Sequence, residues 1–125
     1  MARTYPTQQR CPIARSLDIV GDRWTLLIIR DLSRGQRRYA ELQASLLGIS
    51  PRLLSDRLKL LEEHGIVRRE IYSDHPPRAE YILTEKGEAL DPILKAFINW
   101  GDEFAPRRPR GKKAVEAGVV EPDAS

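Results

Sequence analysis

The stretch ISPRLLSDRLKLLEEHG, Ile49 to Gly65, decides how the rest of this chain is to be read. It has the marks of one helix with a defined start and stop. Ser50 can cap the first free backbone N–H groups, and Pro51 suits the first helical position, where its missing N–H costs nothing. Gly65, after His64, supplies a left-handed stop. At about 100° per residue, Leu53, Leu54, Leu58, Leu60 and Leu61 gather on one side, and Arg52, Ser55, Asp56, Lys59, Glu62 and Glu63 on the other. The first face is core and the second meets solvent.

The polar face is graded along its length. Arg52, Ser55 and Lys59 hold its N-terminal half and the two glutamates its C-terminal half. Free N–H groups and the positive dipole end lie at the same N-terminal side, which suits phosphate, and Arg or Ser one turn further in can reach base edges. An ordinary amphipathic helix with a solvated charged face fits this one segment equally well. The surrounding chain has to separate the two.

At 125 residues the chain has the length of one domain, and its charged fraction of 31% with a formal net charge of +3 describes a mildly basic protein. The pI of about 9.2 is compatible with an acidic partner without requiring one. Charge placement says more. Six basic residues (Arg34, Arg37, Arg38, Arg52, Arg57, Lys59) face two acidic ones (Glu41, Asp56) between Arg34 and Lys59, a local excess larger than that of the whole chain. Met1 to Arg10 is polar and the most apolar run, Trp24 to Ile29, ends at Arg30 and Asp31, so neither a signal peptide nor a membrane span is expected and the protein reads as cytoplasmic. A single Cys11 excludes an internal disulfide, and with only His64 and His75 beside it no Cys/His metal set and no cofactor is expected.

Residues 1–10 lack an apolar period and read as an arm, ahead of a domain spanning 11–104 and a disordered basic tail over 105–125. Cys11 and Pro12 open a short helix with Ile13, Leu17 and Val20 on one side, closed by Gly21. Asp22 caps a second helix, with Trp24, Leu27, Ile28 and Leu32 as a core stripe and Gly35 beyond its end. Both are expected to be scaffold. Arg37 to Tyr39 reads as a brief strand, then a helix follows from Tyr39 or Ala40 to Leu47, with Leu42 and Leu46 inward. Gly48 and Ile49 turn the chain into the helix capped by Ser50. Two short helices across a tight glycine-containing turn form a helix-turn-helix, whose second helix is the reader.

Ile66 to Tyr72 and Ala79 to Leu83 then read as strands around a polar, proline-rich loop from Ser73 to Arg78, a wing. Thr84 caps a last helix to about Phe104, with Leu90, Leu94, Phe97 and Gly101 on one stripe, Ile93, Ile98 and Trp100 widening it, and a kink expected at the internal Pro92. A helix apolar over so much of its girth calls for a partner subunit. Individually, Trp24, Phe97 and Trp100 are assigned to core packing rather than to a ligand cleft. The fold class is therefore mostly α with a small β-hairpin wing (α+β), a winged helix-turn-helix that dimerises through its N-terminal and C-terminal helices.

An ordered set of motifs resembles the HxlR-type winged helix-turn-helix transcription regulators, which are MarR-like. They are Cys11-Pro12-Ile13 with Leu17 and Gly21-Asp22-Arg23-Trp24; Tyr39 to Leu42, as aromatic, any residue, Glu, Leu; and Ile49-Ser50 leading to Leu54-Ser55 and Arg57-Leu58. Leu61-Glu62, Gly65-Ile66-Val67 with Arg69, Pro76-Pro77, Glu80-Tyr81, Leu83-Thr84 with Gly87, and Trp100-Gly101 complete the set. The resemblance implies a homodimer joined by the N-terminal helix (Ile13, Leu17) and the last helix (Leu90, Leu94, Phe97, Trp100, Phe104), and double-stranded DNA as partner. Two reading helices would enter successive major grooves of a roughly palindromic operator, with half-sites about 34 Å apart. It also implies gene regulation, repression above all, in response to oxidants, electrophiles or small molecules.

With that context Arg52, Ser55 and Lys59 are the main DNA-contacting candidates, together with Ser50 and Pro51 at the helix start. Arg52 suits a guanine, because its fork can bond two base atoms, and Lys59 a phosphate. Pro51 stands where many members of the family carry lysine or another polar residue. Arg57 falls amid the apolar face, so its stem should pack and its head pair with an acid or a carbonyl. Arg38, and His75 and Arg78 in the wing, are phosphate candidates or ordinary surface residues. Cys11, ahead of a helix start that favours thiolate, is a redox sensor or a packing residue. Arg107 to Lys113 resembles a minor-groove AT-hook without its closing proline, or is a solvated tail. A protein-interaction module using the same helix is the competing function; no carboxylate pair, nucleophile with a base, or phosphate loop points to an enzyme.

Overall fold

Pro12 and Pro51 each stand in the first turn of a helix in the computed structural model, which describes residues 9–107. Six helices and one hairpin follow in order: α1 (Pro12–Val20), α2 (Thr25–Ser33), α3 (Tyr39–Ser45), α4 (Pro51–Glu63), β1 (Val67–Asp74), β2 (Pro77–Leu83), α5 (Glu85–Glu88) and α6 (Asp91–Phe104). The chain divides into two compact units, one through Glu88 and one from Ala89.

In the first unit the leucine period of α4 has the effect expected of it. Leu54, Leu58 and Leu61 are buried with Ile28, Ile29 and Leu32 of α2, Leu42 and Leu46 on the α3 side, and Ile49, Ile66 and Val67 at the ends of α4. Each fully buried aliphatic side chain contributes about 1.5–3 kcal/mol, so this cluster carries the unit. α2 begins later than its Asp22 suggests: the carboxylate accepts from the backbone N–H of Trp24 at 2.9 Å and Thr25 at 3.0 Å, and the helix proper starts at Thr25. Trp24 and Leu27 are half-buried, and Ile29, outside the predicted stripe, is completely buried. α1 departs from the scaffold expectation. None of its residues is buried, and Ile13 and Leu17 are 71% and 51% exposed.

The hairpin pairs Val67 with Leu83 through Ile71 with Ala79, then slips by one residue before Ser73 pairs with Arg78. Tyr72 is the extra residue of that bulge. Only Val67 of β1 is buried, as befits a wing projecting into solvent. The predicted Ser73–Arg78 loop is shorter than expected, since the strands run on to Asp74 and Pro77 and the tip is His75-Pro76, joined by a cis peptide. Pro77 can open β2 because the first residue of a strand needs no ladder N–H. The brief strand expected at Arg37 to Tyr39 is a single bridge, Arg38 with Glu80, reinforced by Tyr81 N–H donating to the Arg37 carbonyl at 2.8 Å.

The single last helix is corrected to two. Thr84 accepts from Gly87 N–H and starts the one-turn α5, which ends at Glu88. Gly87 is buried; a Cβ there would lie 2.3 Å from the Ile66 carbonyl oxygen, so the residue must be small. Pro92 then sits in the first turn of a new helix, where it removes no hydrogen bond and produces no kink. In the second unit, α6 buries Leu94 but exposes Phe97 (59%), Trp100 (60%) and Phe104, which overturns the core assignment of Phe97 and Trp100. The Trp100 and Phe104 rings stack obliquely, 5.5 Å apart. Residues 1–8 of the expected arm and 108–125 of the tail, including all but Arg107 of the AT-hook-like run, lie outside the described residues. No helix among the described residues is long and apolar enough to cross a membrane.

Candidate nucleic-acid interface

α4 is anchored at both ends. Ser50 accepts from Leu53 N–H at 3.1 Å, completing the N-cap, and Gly65 takes a positive φ of 71° beyond the C-terminus. Lys86 donates to the His64 carbonyl at 2.7 Å, placing a cation at the negative end of the helix. The turn from α3 is set by Gly48, whose φ of 95° only glycine adopts without strain. Gln43 donates to the Ile49 carbonyl at 2.7 Å and pins that turn to α3. α3 itself starts with half a capping box: Glu41 accepts from the N–H groups of Arg37 and Arg38, but Arg38, lacking an acceptor, cannot return the bond.

On this frame Ser50, the N-cap, and Pro51, Arg52, Ser55 and Lys59 of α4 are all exposed. Arg52 and Lys59 form no ion pair among the described residues, so their charges are available to an incoming anion. Arg57 behaves as predicted. It is 8% exposed, and its Nε lies 3.2 Å from Asp22 Oδ1. That contact is an ion pair without hydrogen-bond alignment. Asp22 thus joins the start of α2 to the middle of α4. Burial raises its pKa, but the Thr25 hydroxyl, the Trp24 N–H, the Arg57 charge and the Thr25 N–H together outweigh burial and hold it below the ordinary carboxylate value.

The flanking candidates divide. Arg38 turns to the hairpin: its guanidinium lies 4.7 Å from the centre of the Tyr72 ring and 3.6 Å from Glu80, so part of its charge is already neutralised. His75 and Arg78 are exposed at the wing tip. Cys11 is half-buried and free at the N-cap of α1, with its carbonyl accepting from Arg15 N–H at 3.0 Å. Among the described residues no cluster of three His, Cys, Asp or Glu could hold a metal.

One residue at this face escapes sequence reasoning. Tyr39, counted above only as an aromatic of a motif, donates its hydroxyl to the Pro51 carbonyl at 2.8 Å and accepts from Ser55 Oγ at 3.4 Å. It therefore ties the first residue of α3 to the first turn of α4. A hydrophobicity pattern scores its ring and ignores its hydroxyl, so no signal in the sequence marked it.

Residues 19–109 match the HxlR-like helix-turn-helix family. The HTH-type transcriptional regulator YvaP of Bacillus subtilis is 42% identical over 97 residues, covering 77% of this chain and 90% of that protein. Among solved structures, the redox regulator HypR in its reduced form aligns with a TM-score of 0.70 at 36% identity, over 74% of this chain and 91% of its own. The reduced form of the transcriptional regulator YodB from B. subtilis aligns with a TM-score of 0.65 at 38% identity, over 75% of this chain and 93% of its own.

Proposed function

We infer, from the premise that this chain belongs to the HxlR-like helix-turn-helix family of transcriptional regulators, that it is a homodimeric repressor reading a roughly palindromic operator through α4. The observation that carries this reading is the exposed polar face of α4, where Arg52 and Lys59 stand unpaired on either side of Ser55 on a helix fixed at both ends. Arg52 takes a guanine edge, Lys59 a phosphate, and His75 and Arg78 of the wing the flanking backbone. Dimerisation is supported by two uncovered apolar surfaces, Ile13 and Leu17 on α1 and Phe97, Trp100 and Phe104 on α6, which a second copy would cover. Occupying an operator obstructs transcription, and repression is the simplest consequence.

An oxidant or electrophile effector belongs to the same proposal. Cys11 is supported as its target by its place at the start of α1 and by the redox regulator among the solved relatives. Oxidation would join its thiol in a disulfide to a small thiol or to the second Cys11 of the dimer. Cys11→Ser protein that still released DNA under oxidant would remove this part.

The test of the whole is fluorescence anisotropy with duplex from upstream of the protein's own gene against a scrambled duplex, across salt concentrations. Specific binding should exceed non-specific by on the order of a thousandfold or more and weaken with salt at a slope worth several phosphates. Arg52→Ala should narrow that gap. Equal, weak binding to both duplexes at every salt concentration would count against control of the neighbouring gene.

A further inference from the structure

We propose that Ser55, its proton turned inward to Tyr39, is an acceptor-only reader that favours a base presenting an amino group in the major groove, adenine or cytosine. The proposal rests on the reading of DNA by α4. Its argument is proton bookkeeping along three oxygens. The Pro51 carbonyl can only accept, so the Tyr39 hydroxyl, 2.8 Å away, must donate to it. A phenol carries one proton. With that proton committed, the Tyr39 oxygen can meet Ser55 Oγ, 3.4 Å away, only as an acceptor, and Ser55 must donate.

The usual alternative for a helical serine is to donate to the carbonyl four residues back, which here is Pro51. That oxygen already serves the helix bond from the Ser55 N–H and the bond from Tyr39, so its two lone pairs are taken. Ser55 is exposed, and what it turns to solvent is lone pairs. Adenine N6 and cytosine N4 are donors in the major groove, whereas guanine O6 and N7 and thymine O4 are acceptors that would meet those lone pairs unfavourably. Arg52 lies one turn earlier on the same face and offers only donors. The two side chains are complementary readers, one for an acceptor edge and one for an amino group.

The test uses the full chain. A preferred half-site is first selected from randomised duplexes, and binding is then measured to duplexes carrying each base pair at each position. Wild-type protein should show one position per half-site at which adenine or cytosine is preferred over guanine or thymine by about five- to tenfold, the worth of one net hydrogen bond. Exchanging adenine there for purine, which lacks the amino group, should lose the same factor. Tyr39→Phe removes that acceptor but also frees a lone pair of the Pro51 carbonyl for the Ser55 proton, so the preference should survive it, whereas Ser55→Ala should erase it. A preference that survives Ser55→Ala, or a wild-type preference for guanine or thymine at the Ser55 position, would overturn the proposal. Failure of the wild-type protein to select any half-site is a different result, visible without either variant, and would overturn the sequence-specific reading itself.

Discussion

Removing the Asp22 carboxylate should damage the molecule in two places at once. Asp22→Ala strips the N–H groups of Trp24 and Thr25 of their acceptor and leaves the Arg57 guanidinium, whose side chain is 10% exposed, without its counter-ion. Loss of a cap costs about 1 kcal/mol, and stranding a mostly buried charge about 2–3 kcal/mol here, at or below the lower end for buried pairs because the Asp22 side chain is itself 20% exposed. The sum, about 3–4 kcal/mol, is a large part of the 5–15 kcal/mol that holds a typical domain. Asp22→Asn retains an acceptor for the two N–H groups and strands only the charge, so its cost should be about 2–3 kcal/mol.

The pH dependence separates this account from simple loss of packing. The folded-state pKa of Asp22 is held below its ordinary 3.8, so its contribution is fully present above the unfolded-state value and is lost as pH falls through the folded value. The gap between wild type and Asp22→Asn in urea unfolding should be full at pH 7 and close progressively below about pH 4, where the protonated carboxyl resembles the amide. A cycle with Arg57→Met should give an interaction energy of about 1 kcal/mol or more. A gap that is unchanged by pH, or a coupling below about 0.3 kcal/mol, would refute the reasoning.

Gly87→Ala should lower stability by about 2–3 kcal/mol, because the new Cβ meets the Ile66 carbonyl at 2.3 Å and a backbone atom cannot step aside; an unchanged thermal midpoint would contradict this. Glu80→Gln should free Arg38 for phosphate, raising DNA affinity about two- to fivefold at low salt with a steeper salt dependence, and equal affinity at all salt concentrations would show that the pair is idle. Trp100→Glu places a charge on the exposed aromatic face of α6 and should shift sedimentation velocity from dimer to monomer; an unperturbed dimer would place the interface elsewhere.

Local signals made α4 legible in the sequence. Ser50, Pro51, the leucine period and Gly65 each report on their own neighbourhood and agree, so start, stop and buried face follow together. Arg57 was legible halfway: its place amid leucines requires a partner, but no periodicity names Asp22, which only the packing of α2 brings to 3.2 Å. The break between α5 and α6 was hidden because Thr84 marks a helix start and no glycine or proline falls between Glu88 and Asp91 to mark a stop. α5 ends at Glu88, whose carbonyl Pro92 cannot serve and would crowd in a continuous helix, so Pro92 opens a new helix instead of kinking one.

The candidate site shows the same division between what a residue type can do and what its neighbours leave it free to do. Arg38, Arg52 and Lys59 are equivalent as positive charges in a basic stretch, yet Glu80 and Tyr72 engage Arg38 while Arg52 and Lys59 stay open. Tyr39 is the extreme case. Its ring is one aromatic of a motif, but its hydroxyl acts only because the first turns of α3 and α4 meet, and its contact falls on Ser55, in another helix. On α6 the ambiguity concerns who covers a surface. A hydrophobic stripe states that Phe97 and Trp100 must leave water, and the same residues at the same spacing satisfy that demand in a core or in a second copy of the chain. Both rings are more than half exposed in the single chain, and under the proposed dimer a second copy meets that demand. If the proposed dimer forms through α6, a substitution on that face should cost association while leaving the first unit, with its own core around Leu54, Leu58 and Leu61, folded.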